Sequence, residues 1–350
     1  MKRKKILLIH TSNVLLHYRI AIYNYFSKRF IEEGYELIIA ASILQADNPI
    51  PIEFKLHLIE RSSSKLLSVY KTESPDIVIS FNSLRDLFVL PVALKHKFKK
   101  SKLIYWGHGL NLDYPKRNRF LFRQWHNISD AIILYSSNEL KYISNKNLSK
   151  TYIANNTLDL SLIQDNYDDC IFEKYGISTT DNVIFVGRIE KNKKINNLIV
   201  AIKKLNNPKL GLIIIGDDRL GLVSDDLPEN IFYLGSIYGQ DLHSLLHKSK
   251  IFCIPGHVGL GIVDAFYHSL PIITENVRHA PEIIFLKENI NGFIVPKGDI
   301  DSISLKIQFL MENPKERIKM GDEAKNIILQ EGNIESMFCG FLDACNSLFQ

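Results

Sequence analysis

The sequence predicts an α/β protein of two doubly wound, Rossmann-like domains with an interdomain cleft. Three observations carry this expectation. The chain has 350 residues, long for a single hydrophobic core. Short apolar runs alternate with stretches of helical periodicity, which is the pattern of a parallel sheet covered on both faces. That alternation occurs twice, in halves of unlike charge.

In the first half, residues 6–9, 37–41, 77–80, 103–105 and 131–135 read as strands. Residues 18–30, 85–97 and 117–128 carry the helical stretches between them. Residues 152–160, followed by the polar run 165–169, read as the linker. The second half offers strands at 183–186, 212–215, 231–234, 251–254 and 271–274, with helices at 195–205, 239–247 and 263–268. The predicted domains are therefore 1–163 and 164–333. The final segment, 334–350, has an amphipathic pattern that suits a helix returning to the first domain. No internal repeat and no low-complexity tract is evident.

Composition is that of an ordinary globular chain, 46% hydrophobic and 23% charged. No apolar run reaches the roughly eighteen residues a membrane helix needs. The apolar run after the basic N-terminus is too short for a secretory signal and reads as a first strand. The four cysteines, Cys170, Cys253, Cys339 and Cys345, have no CxxC spacing, so neither metal nor disulfide is expected and a reducing cytoplasm fits. Residues 1–168 hold 24 Lys or Arg against 15 Asp or Glu, and the remainder 19 against 23. A basic first domain suits an anionic substrate or surface, or is simply a lysine-rich solvated one. No nucleic-acid motif accompanies the charge, which argues against that partner. HTSN (10–13) stands where a dinucleotide-binding GxGxxG would follow the first strand, which argues against a dehydrogenase.

Two segments carry chemistry. VIFVGRIEKNKKI (183–195) places Arg188 and Lys193 just past a buried-looking strand, and fixed cations there suit a diphosphate. IPGHVGLGIVDAF (254–266) is a glycine-rich turn leading to Asp264, a carboxylate suited to a ribose diol. Read as structure alone, the same residues are surface lysines, a tight strand-to-helix turn and a helix-start acid.

FVGRIEKNKKI (185–195), LIIIGDD (212–218), YLGSI (233–237), IFCIPGHVGLGIVDAFYHSLPIIT (251–274), PEII (281–284) and NGFIVPKGD (291–299) occur in one order across residues 183–320. In that order they resemble the nucleotide-sugar half of GT-B glycosyltransferases, specifically glycosyltransferase family 4 of the retaining, group 1 type. The resemblance implies a hexosyltransferase that takes a nucleoside-diphosphate sugar as donor substrate, with no metal and no other cofactor. Arg188 and Lys193 match the diphosphate pair, and Asp264 the second acid of the paired-glutamate motif. The first acid is expected eight positions earlier, where Gly256 stands. His257 is expected to fill some of that space. Gly256, Gly259 and Gly261, with Gly187 and Leu260, would bring backbone close to the sugar or phosphate. Gly216 and Leu234 are expected to frame the base and ribose, and Glu282 to begin a helix near the donor. Arg278 and His279 replace the usual glycines before Glu282, and either reach the donor or face solvent. Lys191 and Lys194 read as solvated.

The resemblance is thinner in the first half. IYWGHGL (104–110) resembles the strand end that places a histidine near the donor sugar, so His108 is expected to join Arg188 and Lys193 in catalysis. His17 and Arg19 are expected at the acceptor, with His10 a weaker candidate. Asn155 and Asn156 read as a structural turn. KHKFKKSK (95–102) and YPKRNRFLFRQW (114–125) mix cations with aromatics, as a peripheral contact with an anionic membrane would. The acceptor implied is a saccharide or lipid-linked saccharide of capsule or lipopolysaccharide assembly. The departures at Gly256 and Asp264 leave two other readings: a nucleotide-sugar epimerase, or a non-catalytic partner in a polysaccharide-assembly complex.

Overall fold

The computed structural model describes residues 3–350 apart from 13, 47, 82–86, 96–100, 111–118 and 225. Two compact units divide the chain: residues 1–159 with 334–350, and residues 160–333. Among the described residues each unit holds one all-parallel sheet. The first contains β1 (Lys4–His10), β2 (Tyr35–Ala41), β3 (Lys55–Leu58), β4 (Ile77–Phe81), β5 (Lys102–Gly107), β6 (Ala131–Leu134) and β7 (Thr151–Ile153), ordered β3-β2-β1-β4-β5-β6-β7. The second contains β8 (Asp181–Val186), β9 (Leu210–Ile215), β10 (Ile231–Tyr233), β11 (Ile251–Cys253), β12 (Ile272–Glu275) and β13 (Gly292–Val295), ordered β10-β9-β8-β11-β12-β13. In both sheets the order reverses beside the first strand, at β1/β4 and at β8/β11. Such a reversal opens a crevice at the carboxyl ends of the strands. The predicted doubly wound, Rossmann-like class is the observed one.

The period-two geometry of a strand sorts β1 between two cores. Ile6 and Leu8 face a cluster with Tyr23, Phe26 and Phe30 of the helix His17–Glu32. Leu7 and Ile9 face the opposite cluster with Leu66 and Tyr70 of the helix Ser63–Glu73. Both faces are buried, so β1 reads as a continuous apolar run rather than an alternating one.

The terminal helix Ile334–Asn346 belongs to the first unit. Met337, Phe338 and Phe341 join the cluster of Phe26 and Phe30, with Phe30 and Phe338 ring centroids 4.9 Å apart. Edge-to-face pairs of this kind contribute ~0.5–1.5 kcal/mol beyond their buried area. Arg29 Nη2 reaches Glu335 at 2.7 Å, and Tyr25 donates to the same carboxylate.

Several elements differ from the sequence reading. Tyr152 and Ile153, read as linker, form β7 against β6. The edge strands β3 and β13 and the helices Ser63–Glu73, Ile300–Glu312 and Pro314–Glu331 were not anticipated. The predicted helix at 85–97 falls partly outside the described residues, which show a helix at Leu90–Lys95. Among the described residues no helix is long and apolar enough to cross a membrane.

Candidate functional site

The second unit gathers its site at the exits of β8 and β11. Gly187 follows β8 with φ +150° and Gly216 follows β9 with φ +151°. A Cβ on Gly216 would stand 2.0 Å from the Gly187 carbonyl oxygen, so the two exits pack backbone on backbone. The chain then turns through Lys191–Lys193 and passes Lys194, left-handed at φ +57°, into the helix Ile195–Leu205.

That turn is clasped to the segment after β11. Gly256 N–H donates to the Lys193 carbonyl at 3.0 Å and His257 N–H to the Asn192 carbonyl at 2.8 Å. In return, Lys193 Nζ donates to the His257 carbonyl. A Cβ on Gly256 would lie 1.8 Å from the Asn192 carbonyl oxygen. This corrects the expectation for Gly256: its amide is spent inside the protein rather than offered to a ligand. Position 256 also has no room for the acid that the resemblance places there.

A cavity of about 320 Å³ opens beside this clasp, lined by Arg188, Glu190, Lys193, His257 and the run Gly259–Leu260–Gly261 among others. Gly187 is also part of its wall. The Arg188 side chain is 80% exposed, with Nη1 3.4 Å from Glu190 Oε1. Lys193 is half-buried, and burial lowers its pKa to about 8. The carboxylates of Glu190 and Glu282 oppose that shift, while the Arg188 charge adds to it. The cavity therefore holds two cations, one solvated and one partly stripped of water. Such a pair gains most from an anion that fills the space between them.

The structure does not bring every expected residue to this cavity. Asp264 is the fourth residue of the helix Gly261–Tyr267, outside the cavity lining. Among the described residues its carboxyl forms no ion pair, and burial raises its pKa to about 7. Glu282 is 4% exposed and acts on Lys193 through its charge rather than from the cavity wall. Gly216 and Leu234 lie off the cavity, and the Leu234 amide serves the sheet by donating to the Ile214 carbonyl at 3.0 Å.

His279 is a structural ligand of its own loop. Its Nδ1 accepts from the Val258 amide at 3.1 Å and its Nε2–H donates to the Glu275 carbonyl at 2.9 Å, while burial lowers its pKa to about 4. Arg278 offers its carbonyl to His257 Nδ1–H at 3.0 Å. Lys194 is not a solvated lysine. Its ammonium pairs with Glu275, which is fully buried and also accepts from Asn197 Nδ2 at 2.8 Å and Gly298 N–H at 2.7 Å. Glu190, Asn192 and Glu275 escaped the sequence reading. Only the spacing of Glu190 to Arg188 was a signal, because the other two act through tertiary contacts.

In the first unit His108 follows β5. Its Nδ1–H donates to Glu139 Oε1 at 2.8 Å, and its ring lies 5.2 Å from that of Tyr135. Glu139 is a further residue the sequence did not single out, brought in by the turn after β6. A carboxylate on Nδ1 fixes the imidazole so that Nε2 is the free nitrogen. His10 ends β1 and is structural: Nδ1 meets Tyr23 Oη at 2.9 Å, and burial together with the Arg19 charge lowers its pKa to about 3. His17 opens the helix His17–Glu32 with its amide 3.0 Å from Gln45 Oε1. Arg19 lies in the first turn of that helix, buried among aromatic rings. Asn156 donates its amide to the Tyr135 carbonyl at 3.3 Å, a structural turn as expected. Of the two basic-aromatic stretches, residues 96–100 and 114–118 lie outside the described residues, and residues 119–125 belong to the helix Arg119–Ile128.

Residues 168–327 match the family model described as glycosyl transferases group 1. An uncharacterized 41.2 kDa protein in the cps region of Klebsiella pneumoniae is 26% identical over 63% of this chain and 63% of its own length. The capsular polysaccharide biosynthesis glycosyltransferase CapM of Staphylococcus aureus is 30% identical over 49% of each chain. The matched stretch thus spans less than two thirds of either relative. Anabaena HepE in complex with UDP-glucose superposes with a TM-score of 0.74 at 16% identity, covering 98% of this chain and 99% of that one. Residues 168–327 thus match a group 1 glycosyltransferase domain, and the likeness to HepE shows that the fold is shared along nearly the whole chain.

Proposed function

We propose that this chain, whose second unit carries a group 1 glycosyltransferase domain, transfers a hexose from a nucleoside-diphosphate sugar to a saccharide or lipid-linked saccharide acceptor of cell-surface polysaccharide assembly. The observation that carries the reading is the convergence of Arg188 and Lys193 on one cavity at the β8/β11 reversal. Negative charge develops on the leaving diphosphate, and preorganised cations stabilise it there without a metal. The reaction retains anomeric configuration, as the resemblance implies. His108, held by Glu139, is the first unit's contact with the transferred sugar, and Asp264 meets the ribose. A cytoplasmic enzyme at the inner face of the plasma membrane suits the basic first half. CapM and the cps-region protein, by their names, support the polysaccharide context, and the UDP-glucose held by HepE supports the donor class.

The test is release of nucleoside diphosphate from a panel of nucleotide sugars, with and without candidate acceptors. Arg188→Ala and Lys193→Ala are each expected to lose most turnover, about 10²-fold or more, while melting like the parent. Wild-type turnover in either variant removes the assigned site. A second reading, a catalytically idle relative, is favoured by the filled space at Gly256. It predicts no heat of donor binding in isothermal titration.

A further inference from the structure

The first unit buries a cation that has no counter-charge among the described residues. Arg19 is 7% exposed, and among the described residues its guanidinium forms no ion pair and its Nη1 has no hydrogen-bond partner. What surrounds it is aromatic. The guanidinium carbon lies 5.2 Å from the Trp106 ring, 5.4 Å from Tyr18 and 6.0 Å from Tyr135. Among the described residues the groups that act on its charge are Tyr18, which also hydrogen-bonds it, Tyr23, Tyr135 and His10, and none is a carboxylate. Ring quadrupoles offset part of the cost of desolvating a lone guanidinium, but only part. A buried cation left in this state gains strongly when an anion reaches it.

Its position favours a ligand over a structural accident. Trp106 stands near the end of β5, Tyr135 follows β6 and His10 ends β1, so the head lies at the carboxyl edge of the parallel sheet. Ligands of open α/β sheets bind at that edge. Arg19 is also in the first turn of a 16-residue helix whose N-cap residue, Leu16, offers no side-chain cap and whose first turn holds no acidic residue; the neutral Gln45 side chain takes up the His17 amide. The helix dipole therefore adds positive potential where the guanidinium already sits.

We propose that Arg19 binds a phosphate group of the acceptor, docked at the positive end of the helix His17–Glu32. Phosphate fits better than a carboxylate because it can carry a second charge and presents more acceptor oxygens to the guanidinium fork. The word acceptor rests on the glycosyltransferase reading; the anion site rests on Arg19 alone.

The test is thermal unfolding of the full chain at matched ionic strength. The probes are inorganic phosphate, glycerol 3-phosphate, glucuronate, and vesicles of phosphatidylcholine with and without phosphatidic acid. The parent for these titrations is the Arg188→Ala, Lys193→Ala double variant, so that the second unit's cations cannot take the probe. Phosphate probes are expected to raise its melting temperature, because a ligand that binds only the folded state stabilises it. Adding Arg19→Met should abolish that shift while leaving the ligand-free melting temperature equal or higher, since an unpaired buried charge is gone. Arg19→Lys keeps the charge but loses the fork, and should weaken apparent phosphate affinity by about tenfold. It also serves if the methionine variant does not fold. A response to phosphatidic acid vesicles alone assigns the phosphate to a lipid headgroup, and a response to the small phosphates assigns it to a soluble or sugar-borne one; either upholds the site. Equal shifts with and without Arg19, no shift with any phosphate probe, or a larger shift with glucuronate overturns it. Protection of the unmutated chain by nucleoside diphosphates is measured alongside. Its absence sinks the glycosyl-donor reading and leaves the Arg19 result standing.

Discussion

The two units hold their cations in opposite ways. In the second, the Arg188 side chain is 80% exposed just past the end of β8, and Lys193 is half-buried on a turn fixed by backbone hydrogen bonds to residues 256 and 257. In the first, Arg19 is buried behind the rings of Tyr18, Trp106 and Tyr135. A backbone clasp places a charge in a fixed spot while water still solvates it, so little stability is lost before a ligand arrives. A cage of side chains strips the charge of water beforehand, and the fold carries that cost until an anion relieves it. The same side-chain chemistry is thus tuned by what surrounds it.

The sharpest way to break the second arrangement is at Gly256. Its φ is not in the left-handed region, so the requirement for glycine comes from close approach: a Cβ would sit 1.8 Å from the Asn192 carbonyl oxygen. Gly256→Ala must push the Asn192–Lys193 turn away and break both amide bonds of the clasp. Overpacking of this kind costs about 1–3 kcal/mol, and each hydrogen bond lost adds about 1 kcal/mol. Melting temperature should fall, and titration calorimetry should show nucleoside-diphosphate affinity weakened by about 100-fold, because Lys193 no longer has a fixed position. Gly256→Glu supplies the acid that the resemblance expects, yet should bind no better than Gly256→Ala. Recovered or improved donor binding in Gly256→Glu would mean that the clasp does not govern the site.

The contrast also accounts for what the sequence disclosed. Buried strands such as VIFV and LIII are continuous apolar runs, and glycines at close approaches leave a spaced pattern, so β8, β9 and the Gly256–Gly261 turn could be read directly. The edge strand β3, KLHL, could not, because it is only partly buried and two of its four residues are polar. The Arg19 cage was equally illegible. Its members come from β5, the turn after β6 and the helix after β1, and nothing in local spacing joins positions 19, 106 and 135. Glu139 reaches His108 from 31 residues away, through the pairing of β5 with β6. Gly256 was legible as a departure, but its reason was not, since that lies in a carbonyl 64 residues earlier.

A smaller effect sharpens the comparison through pH. Arg188 stays charged throughout the working range, whereas burial brings the Lys193 pKa down to about 8. A diphosphate favours the ammonium form, so binding raises that pKa. Donor affinity should be flat below about pH 8 and then fall by at most tenfold per pH unit above it. Calorimetric titration with a nucleoside diphosphate from pH 6.5 to 9.5 reads the slope. Lys193→Arg should flatten it, since a guanidinium does not titrate in that range. A profile that bends equally in Lys193→Arg would place the titrating group elsewhere.

Asp264 gives the smallest effect, and its sign tests whether it is an acid kept for a ligand or one kept for the fold. Burial raises its pKa from 3.8 to about 7, so between those values the folded state binds more protons than the unfolded state. Its contribution to stability is therefore complete at low pH and declines as pH rises to about 7, above which the folded state holds an ionised carboxylate in surroundings that disfavour it. Asp264→Asn keeps the shape and removes the ionisation. At pH 8 to 9 it should melt a few degrees above the parent, and near pH 4 the two should melt together. If Asp264 meets a ribose diol, the same substitution should weaken nucleoside-diphosphate binding by about tenfold at pH 8, since a neutral amide accepts more weakly than a carboxylate. A variant that is less stable than the parent at pH 8 would show that the carboxylate has a partner in the fold, and would return Asp264 to a structural role.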